Sequence, residues 1–271
     1  MYNALIKRLS SFTELNQTDL ELLQELLRGR CRVVDANQQL MNEGDRLEGA
    51  RFLVDGWLCR NKCLEDGRCQ VLSICLPGDL LDLVGTYNQK SDHSLRTITS
   101  SVVVDITYGQ VEAILRSSQR LAQALHCMHS LQSAISREWL LSLGQRTARE
   151  RCASLICELF WRLHGIGMAS DSVIDFPLTQ EVVGGAIGVS TVHANRVMQD
   201  LRLAGLIEQC GKKLRVLDLP SLERAALFNP DFLHVDQFVH SKKPSVQRDE
   251  QSKMWWLLSS GRGRTLALDQ R

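Results

Sequence analysis

The chain has 271 residues, 44% of them hydrophobic and 23% charged, with a formal net charge of +1. That length accommodates two domains with separate cores, and no apolar run approaches the roughly 18 residues that a membrane span needs. The opening MYNALIKRLSSF lacks the continuous apolar stretch of a signal peptide, so the cytoplasm is the expected location. The nine cysteines are odd in number and scattered, which reads as free thiols in a reducing compartment rather than as a disulfide framework.

Residues 1–29 space their apolar side chains as one or two packing helices do, with Leu15, Leu20, Leu22, Leu23, Leu26 and Leu27 available for a buried stripe. From 31 to 107 the pattern changes to short runs, RFLVDGWLC, CQVLSICL and SVVVDIT, punctuated by NEGD, EDGR and LPGD. Such runs at close intervals predict an antiparallel sandwich or barrel. Helix returns over 110–143, where Ile114, Leu121, Met128 and Ile135 recur every seven residues with Leu125 and Trp139 at the companion position. The spacing is that of a seam between helices, met either by ordinary packing or by a second copy of the chain. A further helix over 144–164 places Ala153, Ile156, Cys157 and Phe160 on one face.

Residues 178–207, LTQEVVGGAIGVSTVHANRVMQDLRLAGLI, carry the densest positional information. Thr179 is placed to cap one helix and Ser190 a second, with Gly188 ending the first and Gly205 the second. The small residues Gly184, Gly185 and Ala186 allow close crossing, and the whole spacing is that of a helix-turn-helix. Winding the second helix at about 100° per residue puts Ala194, Val197, Met198 and Leu201 on a packing face and Val192, Arg196 and Gln199 on the opposite one, with Asn195 at its flank. Those polar side chains suit base edges and Val192 suits a thymine methyl, while Thr191 stands beside the capping serine. A near-neutral chain needs local positive charge to meet nucleic acid, and Lys212, Lys213 and Arg215 supply it. They lie in LIEQCGKKLRVLDL, which reads as a hairpin turning near Cys210, Gly211 and Lys212. Beyond Pro230 the chain becomes polar and irregular, which predicts a flexible tail containing an MWWLL segment.

Taken together, a β-rich front, a long helix and a winged helix-turn-helix resemble the Crp/Fnr family of bacterial transcription regulators over roughly residues 10–228. The matching motifs are NEGD at 42–45, FLVDGWL at 52–58, LPGD at 76–79 and the helix-turn-helix itself. The resemblance implies an α+β fold: an N-terminal antiparallel β-roll of the cyclic-nucleotide-binding type with helices before it (1–108), a dimerisation helix (109–145), a winged helix-turn-helix (146–228) and a tail (229–271). It further implies a homodimer on a two-fold symmetric operator in double-stranded DNA, contact with RNA polymerase, and a signal sensed by the roll. Arg196 matches the family's base-contacting arginine. The glutamate commonly found four positions earlier is Val192 here, so the operator is expected to differ.

The sensor departs further from the family pattern. Members that bind cyclic AMP use a Gly-Glu pair and a later Arg-Ser-Ala run; here Gly78 and Asp79 stand near the first, and His93, Ser94 and Leu95 replace the second. The phosphate anchor is thus missing, with Arg96, in a shifted register, a candidate substitute that does not make cyclic nucleotide binding the expectation. The oxygen-sensing branch holds an iron–sulfur cluster on N-terminal cysteines, yet none precedes Cys31. Cys59, Cys63, Cys69 and Cys75 fall in strands and are expected to serve buried packing. His93, His126, His129 and Cys75 are nominal haem ligands that read better as structural or exposed groups. No metal and no cofactor is therefore assigned. The competing reading, a cupin-like small-molecule binder or metal-dependent enzyme, needs several histidines converging from strands, and 31–108 contains only His93. A cyclic-nucleotide-gated regulatory subunit would need the front domain but not the rear one. Neither a G-x-S-x-G elbow nor a GK[ST] loop occurs, so the expectation is a regulator without catalytic residues.

Overall fold

The computed structural model describes residues 2–28, 31–83 and 90–234. Two short helices open it, α1 (Asn3–Ser10) and α2 (Gln17–Leu27), the second started by a capping box in which Asn16 and Asp19 exchange backbone and side-chain hydrogen bonds. Eight strands follow: β1 (Cys31–Val34), β2 (Gln39–Met41), β3 (Gly49–Asp55), β4 (Leu58–Cys63), β5 (Cys69–Cys75), β6 (Leu80–Leu83), β7 (Ser94–Thr97) and β8 (Ser101–Thr107). They form two antiparallel four-stranded sheets, ordered β1-β8-β3-β6 and β2-β7-β4-β5. The expected β-roll is thus present, although the run RFLVDGWLC is two strands broken at Gly56 rather than one.

Strand alternation decides which side chains meet. Leu53, Leu58, Cys75, Leu81, Leu95 and Val103 point between the two sheets and make the roll's interior. Their neighbours Phe52, Val54, Leu80 and Val104 point the other way and are covered by helices. The strands β3, β6 and β8 of the first sheet are consequently covered on both faces, while β1 at its edge leaves Val33 exposed.

Those covering helices correct one expectation. The helix predicted over 110–143 is two helices, α3 (Tyr108–Ser117) and α4 (Gln119–Gln145), separated at Ser118. Ser118 Oγ accepts the Leu121 N–H at 3.1 Å and donates to Asp19 Oδ1 at 2.6 Å, so one hydroxyl caps α4 and fastens it to α2. The seven-residue seam is spent inside the chain: Ile114, Leu121, Leu125 and Met128 pack on the first sheet with α1 and α2, while Ile135 and Trp139 join the rear core. What α4 leaves exposed is the opposite stripe, through Gln123, His126, Ser130, Arg137, Leu140 and Leu141.

The rear core surrounds α5 (Ala148–Gly165), which is started by a Thr147–Glu150 capping box and buried continuously from Cys152 to Leu163. Around it lie β9 (Val173–Asp175), α6 (Gln180–Ile187), α7 (Thr191–Leu203), β10 (Ile207–Cys210), β11 (Lys213–Val216) and α8 (Leu219–Ala226). The last three strands form one antiparallel sheet, β10-β11-β9. Strand β9 and helix α8 had no counterpart in the sequence reading, the former because three residues are too short for a period to show. Within the stretch expected to be tail, a 3₁₀ turn, Pro230–Leu233, seats Leu233 in the rear core, and the Phe228 and Phe232 rings meet edge to face at 5.6 Å; residues 235–271 lie outside the described residues. The MWWLL segment lies outside the described residues. Among those residues, no helix is long and apolar enough to cross a membrane.

Candidate nucleic-acid interface

Helices α6 and α7 are built by their caps. Thr179 Oγ1 accepts the Val182 N–H at 3.2 Å, and Ser190 Oγ accepts the His193 N–H at 3.3 Å, each serving one of the amides that a helix start leaves without a partner. Between them Gly188 takes φ 67°, ψ 43°, a left-handed conformation that a side chain would strain. Close approach matters at Gly184, where a Cβ would sit 2.8 Å from the Val189 carbonyl oxygen as the chain turns back. Gly185 differs from expectation: it faces Val71 of strand β5, not α7, so its small size serves contact with the roll.

Helix α7 divides as its period requires. Ala194, Val197, Met198 and Leu201 are buried, while Thr191, Val192, Asn195, Arg196 and Gln199 are exposed. Thr179 and Ser190 are also exposed, at the N-termini of their helices. The hairpin pairs Cys210 with Lys213, leaving Gly211, with φ 58°, and Lys212 as its two-residue turn. Lys212 is exposed at the tip. Lys213 is exposed too, but its Nζ is 2.6 Å from Asp175 Oδ1 on β9, so its charge is shared within the sheet.

The five expected effector residues are not brought together. Asp79 is buried beneath the roll, where its carboxylate accepts the Leu76 N–H at 2.8 Å and pairs with Arg162 of α5 and Arg8 of α1. Gly78 lies against α1, with the Ala4 carbonyl oxygen 2.8 Å from where a Cβ would be. Both belong to the junction between the roll and its flanking helices. His93 bonds Asp92 at 2.8 Å and lies 3.6 Å from Asp82; Ser94 Oγ accepts the Glu43 N–H at 2.9 Å; Arg96 faces Cys59. The reason for the correction is reach. Asp79, His93 and Ser94 each already reach a partner within the fold.

Two features of the roll escaped the sequence reading. A cavity of about 300 Å³ opens between Arg46, Glu48, Arg51, Asp82 and Asp105, and none of the five expected effector residues lines it. Arg60 of β4 turns inward and donates to Ser73 Oγ at 2.9 Å, Gln132 Oε1 of α4 at 3.2 Å, and the Leu80 and Leu81 carbonyls at 2.9 and 2.6 Å. An arginine in a strand gives no sequence signal of such a role. Only the packed roll shows that one guanidinium ties both sheets to α4.

A buried charge network joins front and rear. Arg162 pairs with Asp79 and with Glu158 at 2.7 Å and donates to the Ile74 carbonyl at 3.1 Å; Trp139 Nε1 donates to Glu158 at 2.6 Å. Burial raises the Glu158 carboxyl above its ordinary value even against these donors, and burial pushes Arg8 down to about 10 despite Asp79. For Arg162 burial acts downward, but Asp79 and Glu158 outweigh it and raise the group.

The cysteines also divide. Cys59 and Cys75 are buried, as packing requires, and burial raises both thiols, Cys75 to about 11. Cys63 and Cys69 are instead exposed and joined to each other as a disulfide across β4 and β5, which corrects the expectation of buried free thiols there. Among the described residues, no group of three or more His, Cys, Asp or Glu side chains converges as a metal site.

Comparison with known proteins follows the same two-part division. A cyclic nucleotide-binding domain family model matches residues 31–118, and a Crp-like helix-turn-helix domain model matches 150–225. The transcriptional activator protein FnrL of Cereibacter sphaeroides is 26% identical over 185 residues, covering 67% of this chain and 74% of that one. The transcriptional activator protein FnrA of Stutzerimonas stutzeri is 22% identical over 204 residues, covering 75% and 83%. In fold, the chain is similar to FixK2 from Bradyrhizobium japonicum, with a TM-score of 0.63 at 21% identity over 72% of this chain and 96% of that one. With both domain models in chain order, the Fnr-type relatives and the shared fold, the chain belongs to the Crp/Fnr family of transcription regulators and binds DNA through its helix-turn-helix.

Proposed function

We propose that the protein acts as a homodimer that places its two α7 helices in successive major grooves of a two-fold symmetric operator. The observation that carries this reading is the exposed face of α7: Asn195, Arg196 and Gln199 offer hydrogen bonds to base edges and Val192 offers an apolar contact, on a helix fixed from behind by four buried side chains. Thr179, Ser190 and Thr191 stand at helix N-termini, where amide groups and hydroxyls suit phosphate. Lys212 at the wing tip adds a phosphate contact, with Lys213 a weaker second because Asp175 shares its charge.

Residues 1–108 serve as sensor, 109–145 as connecting and dimerisation segment, and 146–228 as the DNA-binding unit. The dimer forms through the outward stripe of α4, where Leu140 is 74% and Leu141 50% exposed, because the inward seam is already occupied. The signal enters through the roll, with the cavity at Arg51, Asp82 and Asp105 the candidate site for a small effector. Such a regulator works in the cytoplasm and contacts RNA polymerase from its promoter site. Selection from a randomised duplex library, followed by footprinting of the recovered sequences, tests the reading. A two-fold symmetric motif is expected, and recovery of no preferred sequence would overturn it.

A further inference from the structure

Cys63 and Cys69 close the outer end of the β4–β5 hairpin, facing each other at a Cα separation of 4.0 Å, and both are exposed. The next rung pairs Lys62 with Gln70, and the rung after it Asn61 with Val71. Gln70 reaches out of the roll: its Nε2 donates to the Gly185 carbonyl at 2.7 Å and lies 3.5 Å from that of Ala186. Those carbonyls belong to the last turn of α6, where helical partners run out, while the neighbouring Gly184 carbonyl already takes the Val189 N–H. Gln70 is therefore a C-terminal cap supplied to the first helix of the helix-turn-helix by the sensor. Val71 packs beside it, its Cγ2 3.0 Å from where a Cβ on Gly185 would be.

We propose that Cys63 and Cys69 are a reversible dithiol–disulfide site whose state is passed to the helix-turn-helix through Gln70 and Val71. A regulator that works on DNA meets a reducing compartment, where a solvent-facing disulfide is open to exchange. In the oxidising direction, one cysteine thiolate attacks a low-molecular-weight disulfide, forms a mixed disulfide and expels one thiolate. The second cysteine then displaces the remaining small thiol. The two protein thiols lose two electrons and two protons, and the small disulfide receives both as two thiols. The bond clamps the hairpin one residue from Gln70, and opening it frees the strand end that positions the cap.

The test uses the full chain equilibrated across buffers of reduced and oxidised glutathione. Alkylation with mass readout follows the two cysteines, and hydrogen exchange follows the amides of residues 180–187. Conversion of the two thiols as a pair is expected, with exchange in α6 at least about fivefold faster in the dithiol form, the lower end of ordinary coupling between sites. The difference is expected to vanish in Cys63→Ser and in Gln70→Ala. Affinity for a duplex selected from a randomised library is expected to change by a similar factor between the two states of the unmodified chain, and to be redox-independent in Cys63→Ser. A pair that stays in one state throughout, equal exchange in both states, or equal affinity in both states would overturn the proposal. The inference rests on the DNA-binding reading for the reducing compartment and for its last arm: failure to select any duplex would count against that reading, while the thiol and exchange arms would still decide this one.

Discussion

Arg196 and Lys212 are both exposed basic side chains, yet the proposed binding mode gives them different work. Arg196 projects from the face of α7 with Val192 and Gln199, where its planar donors suit a guanine edge; Lys212 sits at the wing tip, where a flexible point charge suits phosphate. Replacing Arg196 by Ala is expected to cost about 1–3 kcal/mol per half-site on the preferred operator and to relax preference at the base it reads. Replacing Lys212 by Ala is expected to weaken binding evenly across sequences and to reduce the salt slope by about one charge. Titrations of matched and mismatched duplexes at several salt concentrations separate the two; identical behaviour would mean that reading and positioning are not divided this way. Val192 sharpens the point, because a side chain that accepts no hydrogen bond cannot select a cytosine amino group.

Among the elements, α5 is the one to which the others are fastened. Its Arg162 meets Asp79 of the roll and Glu158 one turn earlier, and all three side chains are almost wholly inaccessible. Removing one partner from such a set leaves an uncompensated buried charge, so Arg162→Met is expected to destabilise the chain by about 3–5 kcal/mol in urea unfolding. A loss below about 1 kcal/mol would show that the pairing contributes little. The junction between α2 and α4 behaves differently. The Asp19 carboxylate, hydrogen-bonded by Ser118 and by the Asn16 N–H and near Arg120, is held below its ordinary value of 3.8. A lowered carboxylate contributes stability that is present above pH 3.8 and is lost as pH falls through the folded value. Asp19→Asn is therefore expected to flatten the acid limb of stability below about pH 4, as read by thermal unfolding across pH, and an unchanged limb would remove Asp19 from the account.

At the scale of the whole molecule, the dimer and the signal are the open arrangements. The inward face of α4 is consumed by the chain's own cores, so the proposed dimer is assigned to the stripe carrying Leu140 and Leu141. Leu140→Glu is expected to shift the protein from dimer to monomer in sedimentation and to weaken binding to a paired operator more than to a half-site. Retention of the dimer would place the interface elsewhere.

The helix-turn-helix and wing were legible in the linear chain for a physical reason. Their determinants, Thr179, Ser190, Gly188 and the period of α7, act over a few residues through capping, left-handed backbone and face alternation. The same locality makes the strand-rich front readable as a roll. What the sequence by itself determined is therefore the order of the elements, the division of α7 into a buried and an exposed face, and the family they compose.

Only the tertiary structure decided where long-range partners meet. Asp79 reads as a ligand residue until Arg162, 83 positions away, is seen to occupy it, and Gln70 has no visible role until α6, 115 positions on, presents its open carbonyls. The heptad of α3 and α4 could not tell an internal core from a partner helix, because periodicity specifies a buried face and not what buries it. Likewise the pairing of Cys63 with Cys69 depends on the register of β4 against β5, which the turn and the packed sheet set together.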